Sequence, residues 1–245
     1  MSRWREHRDL FPRQPERSRF NRRRRDLAPL INRLRQAMLD GFDLAQDAAC
    51  IIDSLPLPVV QFYYAPAASA SWKIAGATYG HSCSTKQAIV GYKVHLLVIQ
   101  SGVIRDFDLA PANQSDLTVG QELLGAHSDL VVLGDKGYIS QPLARALRAE
   151  RGIRLVTVLR ANPRRQVAEA LAHLHAHLRQ LIEPVNSQLA QQFHVEINHA
   201  HTFWGLSARL ATKLTAHTLW VWLNRLGGVG AADLLHIKAL TCSMN

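Results

Sequence analysis

Residues 89–99 read I-V-G-Y-K-V-H-L-L-V-I, an apolar run rich in β-branched side chains and long enough to cross a sheet. The Q-S-G behind it is turn-forming, and a second apolar run starts at Val103. Together they predict an antiparallel hairpin over residues 89–109. After the hairpin the pattern alternates. A helix over 116–124 opening at a capping Asp116, a short strand over 129–133, a helix over 142–150 closed by Gly152 and a strand over 153–159 follow in turn. A long helix from Val167 to about Phe193 and another over 207–226 complete the series. Ahead of the hairpin, residues 49–60 (A-C-I-I-D-S-L-P-L-P-V-V) predict a strand ending near Pro56, since proline cannot donate to a ladder. Residues 65–88, rich in Ala, Ser, Gly and Thr without a steady period, predict a loop. An antiparallel start followed by helix–strand alternation predicts an α/β fold, a mixed sheet flanked by helices. Functional groups in such sheets gather at strand ends.

The charge is unevenly placed. Residues 1–35 hold twelve arginines against four acids, a local excess of eight out of the chain's net +10. Such a cationic arm suits a polyanion, whose phosphates it neutralises with release of counterions. Arg19, Arg22, Arg23, Arg24 and Arg25 form its densest part. Asp26 can cap a following helix, with Leu27, Leu30, Ile31, Leu34 and Met38 at helical spacing and Gly41 as its stop. The arm and helix (1–45), a catalytic region (46–226) and a tail (227–245) make the expected division. With 245 residues and 47% apolar content the chain can bury a sizeable core. No run of eighteen apolar residues or apolar leader core occurs, and Cys50, Cys83 and Cys242 lack metal or disulfide spacing. The expectation is a cytoplasmic protein.

Carboxylates carry the chemistry. Asp53 interrupts the apolar I-I-D-S, and Asp135 ends the apolar V-V-L-G-D. A buried-strand aspartate is costly unless paired, hydrogen-bonded or bound to metal. Two of them converging would repel, and a divalent cation would relieve that repulsion; hard oxygen ligands select Mg²⁺ or Mn²⁺. A third acid would come from the long helix, where Glu169, Glu183 and Glu196 are candidates. Arg179 stands one turn before Glu183 and could orient it. The apolar stripe Leu171, Leu174, Leu178, Leu181, Ile182, Val185 and Leu189 argues against Glu183, which projects roughly 140° from its centre. Pro184 would shift that phase.

Seven blocks then occur in order: L-F-P-R-Q-P-E-R-S-R-F-N-R-R-R-R, I-I-D-S-L-P-L-P-V-V, G-Y-K-V-H-L-L, L-A-P-A-N-Q-S-D, G-D-K-G-Y-I-S, R-Q-L-I-E and N-H-A-H-T-F-W-G-L. As an ordered set they resemble the DDE transposases of bacterial insertion sequences, over nearly the whole chain. The resemblance implies a ribonuclease-H-like mixed sheet flanked by helices, with a basic helical N-terminal extension. It implies Asp53, Asp135 and Glu183 as the three acids holding two Mg²⁺ (or Mn²⁺) ions, and DNA as partner at transposon ends and target. It also implies a homodimer or larger assembly in the nucleoid. Lys136 and Arg179 would contact phosphate beside these acids. Two departures stand out. Ala176 and Ala190 occupy positions where the wider superfamily carries a tyrosine and a lysine. The L-F-P block, which the family usually carries behind a further helical segment, stands at residue 10, so an N-terminally short copy or an internal start is the expectation.

Rival readings concern other residues. His173 and His177, one turn apart, could bind zinc with His194, His199 or His201. His95 reads as structural, and Trp204, Trp220 and Trp222 as core or interface aromatics. A DNA-binding fragment that blocks element ends without cutting, and a metal-dependent nuclease without strand transfer, are the functional alternatives.

Overall fold

The computed structural model describes residues 15–42, 48–60, 62–82, 87–157, 180 and 182–228. Two helices open it, α1 (Arg17–Asp26) and α2 (Ala28–Asp40). The chain then enters β1 (Ala49–Val60), a 3₁₀ turn (Phe62–Ala67), α3 (Ala70–Ile74), β2 (Thr78–Ser82), β3 (Gln87–Ile99) and β4 (Ile104–Pro111). Helix and strand alternate through α4 (Asp116–Gly125), β5 (Val131–Gly134), a 3₁₀ turn (Lys136–Tyr138), α5 (Gln141–Arg151) and β6 (Arg154–Thr157). Residues 182–191 are helical and are labelled α6; α7 (Phe203–Leu226) follows. Of the helix expected from Val167, the part before residue 180 lies outside the described residues, as do Arg179, Glu169, Ala176, His173, His175 and His177. Cys83, Cys242 and the first arginines of the arm lie outside them too.

The six strands form one mixed sheet in the order β2-β3-β1-β5-β6, with β4 also on β3. β3 pairs along its length with β1, antiparallel, while its other edge is shared by β2 over 87–91 and β4 over 92–98. β1 pairs with β5 and β5 with β6, both parallel. This is the ribonuclease-H-like α/β arrangement, with a core on each face. On one face Ile51, Leu55 and Leu57 of β1 and Val94, Leu96 and Val98 of β3 meet Ile182, Val185 and Leu189 of α6 and Leu206, Leu210 and Leu214 of α7. On the other, Cys50, Ile52, Leu97 and Val132 meet Leu123 and Leu124 of α4 and Leu143 and Leu147 of α5. Each fully buried leucine of these sets contributes about 1.5–3 kcal/mol.

Several expectations are corrected. β1 runs on to Val60 through Pro56 and Pro58 rather than ending near Pro56. Both prolines have the same parity, so both missing N–H groups fall on one side of the strand. β5 leaves that side after Ile52, and no ladder bond is forfeited. The expected loop 65–88 contains α3, anchored by buried Trp72, and the edge strand β2. Elements of five residues are too short to show a period. Asp26 ends α1 and makes no cap for α2, whose N-cap position is Leu27. Ser115, not Asp116, caps α4 by accepting the Thr118 N–H. Arg35, counted with the cationic arm, is buried. Trp204 is not a core residue, since 75% of it is exposed.

His217 of α7 is fully buried, its Nε2 3.2 Å from Gln188 Oε1 on α6. Burial pushes its pKa down from 6.5 to about 4. Between those values the unfolded chain takes up a proton that the folded chain refuses. Stability is therefore intact above pH 6.5 and falls as the pH drops towards 4, by on the order of 3 kcal/mol from this group. Denaturant midpoints measured from pH 7 to 4 should fall steeply for the parent chain and less steeply for His217→Leu. Equal slopes would assign the acid sensitivity elsewhere.

Candidate active site

The parallel register of β1 and β5 closes with Ile52 opposite Gly134. Asp53 and Asp135 are the next residue on each strand, where the two chains part. Asp53 belongs to the β1 face that α6 covers. Its Oδ1 accepts the Ser54 N–H at 2.9 Å, and its Oδ2 accepts Asn186 Nδ2, from α6, at 2.7 Å. Burial raises the Asp53 pKa; those two hydrogen bonds oppose the rise, and the charges of Asp135 and Asp116 add to it. Asp135 is exposed, and its Oδ1 takes the Gly137 N–H at 2.8 Å, capping the Lys136–Tyr138 turn.

A third acid reaches the fork from the opposite face. Asp116, in the first turn of α4, holds Lys93 Nζ at 2.5 Å through Oδ1, with His95 Nε2 3.9 Å from the same oxygen. A methyl group on Gly137 would come within 2.7 Å of Asp116 Oδ2 and 3.0 Å of Asp135 Oδ1, so any larger residue there would push a carboxylate aside. His95 is fully buried, its Nδ1 3.0 Å from the Tyr138 hydroxyl. Burial holds His95 down to about 4, with Asp116 pulling the other way. Burial raises the Tyr138 hydroxyl, and the three aspartates Asp116, Asp53 and Asp135 raise it further. Negative charge is thus concentrated at one end of the sheet.

Residues 45–219, well over half of the chain, match the model of the transposase DDE domain. The chain belongs to that family. A comparison with curated proteins found no match. In this transposase domain the site residues expected from sequence divide into three groups. Asp53 and Asp135 are brought together at the fork. Glu183 is exposed on α6; its neighbours Ile182 and Val185 face the core, and Asn186, one turn on, reaches Asp53 instead. Among the described residues no three His, Cys, Asp or Glu side chains converge closely enough to hold one metal ion. Of the basic residues, Arg19, Arg22, Arg23 and Arg25 are exposed on α1, Lys136 is exposed in the turn and Arg24 is half-buried.

Sequence reasoning missed Asn186 and read Asp116 only as a cap. Asn186 had a signal: it lies three residues after Glu183, on the same side of the helix. The donor set suits a hard cation. Asp53 and Asp135 supply oxygens, and Asn186 Oδ1 is buried without a partner among the described residues.

Proposed function

We propose that this protein is a transposase that cleaves DNA at insertion-sequence ends and joins the freed 3′ hydroxyl to target DNA. Asp53, Asp135 and Glu183 would hold two Mg²⁺ ions, or Mn²⁺. The observation that carries this reading is the pair Asp53–Asp135 at the opening of two parallel strands, in a chain of the DDE transposase family. Divalent ions bound there supply an activated attacking oxygen and a stabilised leaving oxygen for in-line displacement at phosphorus.

The chain's own residues do the remaining work. Asp53 is fixed by two hydrogen bonds and by burial, so its carboxylate keeps one orientation. Asp135 is held on one oxygen by the Gly137 N–H and is exposed, so a DNA strand could reach it from solvent. Lys136 stands exposed beside it as a phosphate contact. Glu183 lies one turn from Asn186, and in this reading it joins the pair when DNA and metal are bound. The arginines of α1 hold the DNA backbone, and two copies of the chain would bring two element ends together.

The exposure of Glu183 favours one second reading, a DNA-binding protein that occupies element ends without cutting them. The purified chain with Mg²⁺ and a plasmid carrying the DNA that flanks the gene separates the two. The expected products are strand breaks with free 3′ hydroxyls, then joined molecules, all lost with a chelator. Bound but uncut ends under every divalent condition would favour the end-blocking reading. Cut ends that never join would leave a nuclease.

A further inference from the structure

α1 packs against α7, and a cleft of about 480 Å³ opens between α1 and the start of α7. Its walls include Arg17, Asn21, Arg24 and Arg25 from α1, His201 from the turn before α7, and Arg209 from the second turn of α7. With Ser18, the α1 residues follow the spacing i, i+1, i+4, i+7, i+8, which is one helical face. Arg19, Arg22 and Arg23 fall outside it. The cationic arm is therefore two-sided, with one side built into a cavity.

The cavity is electrostatically incomplete. Among the described residues neither Arg24 nor Arg209 forms an ion pair, and the Nε of each is buried without a hydrogen-bond partner. Burial, then Arg209, then Arg25 lower the Arg24 pKa; burial and Arg17 lower that of Arg209. Lys213, one turn beyond Arg209, is brought down to about 8 by burial and by the same Arg209 and Arg24. Its ammonium is turned to the carbonyls of His194 and Ile197. Glu16 at the rim is the one acid among the lining residues. Four arginines against one glutamate in a partly desolvated cleft cost stability, and they do so as a binding site does when its ligand supplies the missing charge. The guanidinium forks match phosphate oxygens in pairs, and the N-terminus of α7 adds its dipole.

We infer that the cleft between α1 and the start of α7 seats a backbone phosphate of DNA, with Arg209 and Arg24 as the gripping pair. The inference rests on the DNA-directed reading above. It concerns binding alone and needs neither the carboxylates nor a metal. A phosphate seated there locks α1 onto α7, so DNA binding orders the basic helix against the catalytic domain.

The test is anisotropy titration of a fluorescein-labelled random DNA duplex with the full chain in chelator, over a series of salt concentrations. Arg209→Gln is expected to weaken binding about threefold to tenfold and to lower the slope of log K against log salt by about one. Arg209→Lys should recover part of the affinity. Arg148→Gln, on the exposed face of α5, removes the same charge and should change neither quantity. The melting temperature of Arg209→Gln should equal or exceed that of the parent, because a repelling cation has gone. Affinity and slope of Arg209→Gln equal to the parent's, or a loss matched by Arg148→Gln, would overturn the inference. So would an Arg209-dependent rise in melting temperature with inorganic phosphate while DNA affinity stays unchanged, which marks a free-phosphate site. Loss of cleavage with intact binding bears on the carboxylates instead.

Discussion

Asp53→Asn and Asp135→Asn are each expected to lower DNA cleavage by about a thousandfold or more, since losing one ligand of a catalytic cation removes several kcal/mol from the transition state. The fold should survive both changes. Asparagine at 53 can still accept the Ser54 N–H, and it removes a buried charge that Asp135 and Asp116 already oppose. Its melting temperature should therefore match or exceed the parent's, and DNA affinity should not fall. Single-turnover cleavage, anisotropy and thermal melts read the three quantities separately. Wild-type cleavage by either variant would end the metal assignment. Glu183→Gln and Asp116→Asn, run beside them, decide which acid completes the set: loss with the first and retention with the second supports Glu183. The reverse would transfer the role to Asp116, which the fold already places between Gly137 and Lys93.

Arg35→Ala is expected to be the most destabilising single change in the N-terminal helices. Arg35 is 1% exposed, donates to the Ile104 and Arg105 carbonyls at 3.0 and 3.3 Å, and lies over the Phe107 ring. Its guanidinium is 3.8 Å from Asp106, which also meets His127 at 3.0 Å. Truncation would leave the Ile104 and Arg105 carbonyls without their buried donor, remove the charge beside Asp106 and open a cavity. Broken buried charge networks of this kind cost about 3–5 kcal/mol. Urea denaturation should show that loss, and Arg35→Lys should recover less than half of it, because an ammonium cannot span both carbonyls and Asp106. A loss below about 1 kcal/mol would mean that α2 is held by its apolar face alone.

Legibility in the sequence followed the range of each interaction. The hairpin over 89–109, Gly152 as the stop of α5 and the strand before Asp135 were readable because local propensity and turn chemistry coincide there. Side-by-side placement of Asp53 and Asp135 was a conditional expectation, and the parallel pairing of β1 with β5 meets the condition. The exposed side of Glu183 was legible from the helical stripe. Asn186 and Asp116 at the fork were not, because each depends on how a helix docks on the sheet, which no periodicity encodes. Arg35 was misread for the same reason. Eleven other arginines surround it in sequence, and only the packing of α2 beside β4 sets it apart.

The parting of β1 from β5 has a consequence for how such a centre can vary. Its two aspartates stand at the end of a main-chain ladder, whose adjacent strands keep a gauge of roughly 4.8 Å up to Ile52 and Gly134 whatever side chains they bear. Substitutions along α6 can trade carboxylate for amide, or slide the third ligand by a turn, without disturbing that gauge. The sheet acts as a fixed jaw and the helix as the adjustable one, so differences in activity between related chains should be sought first on the helix.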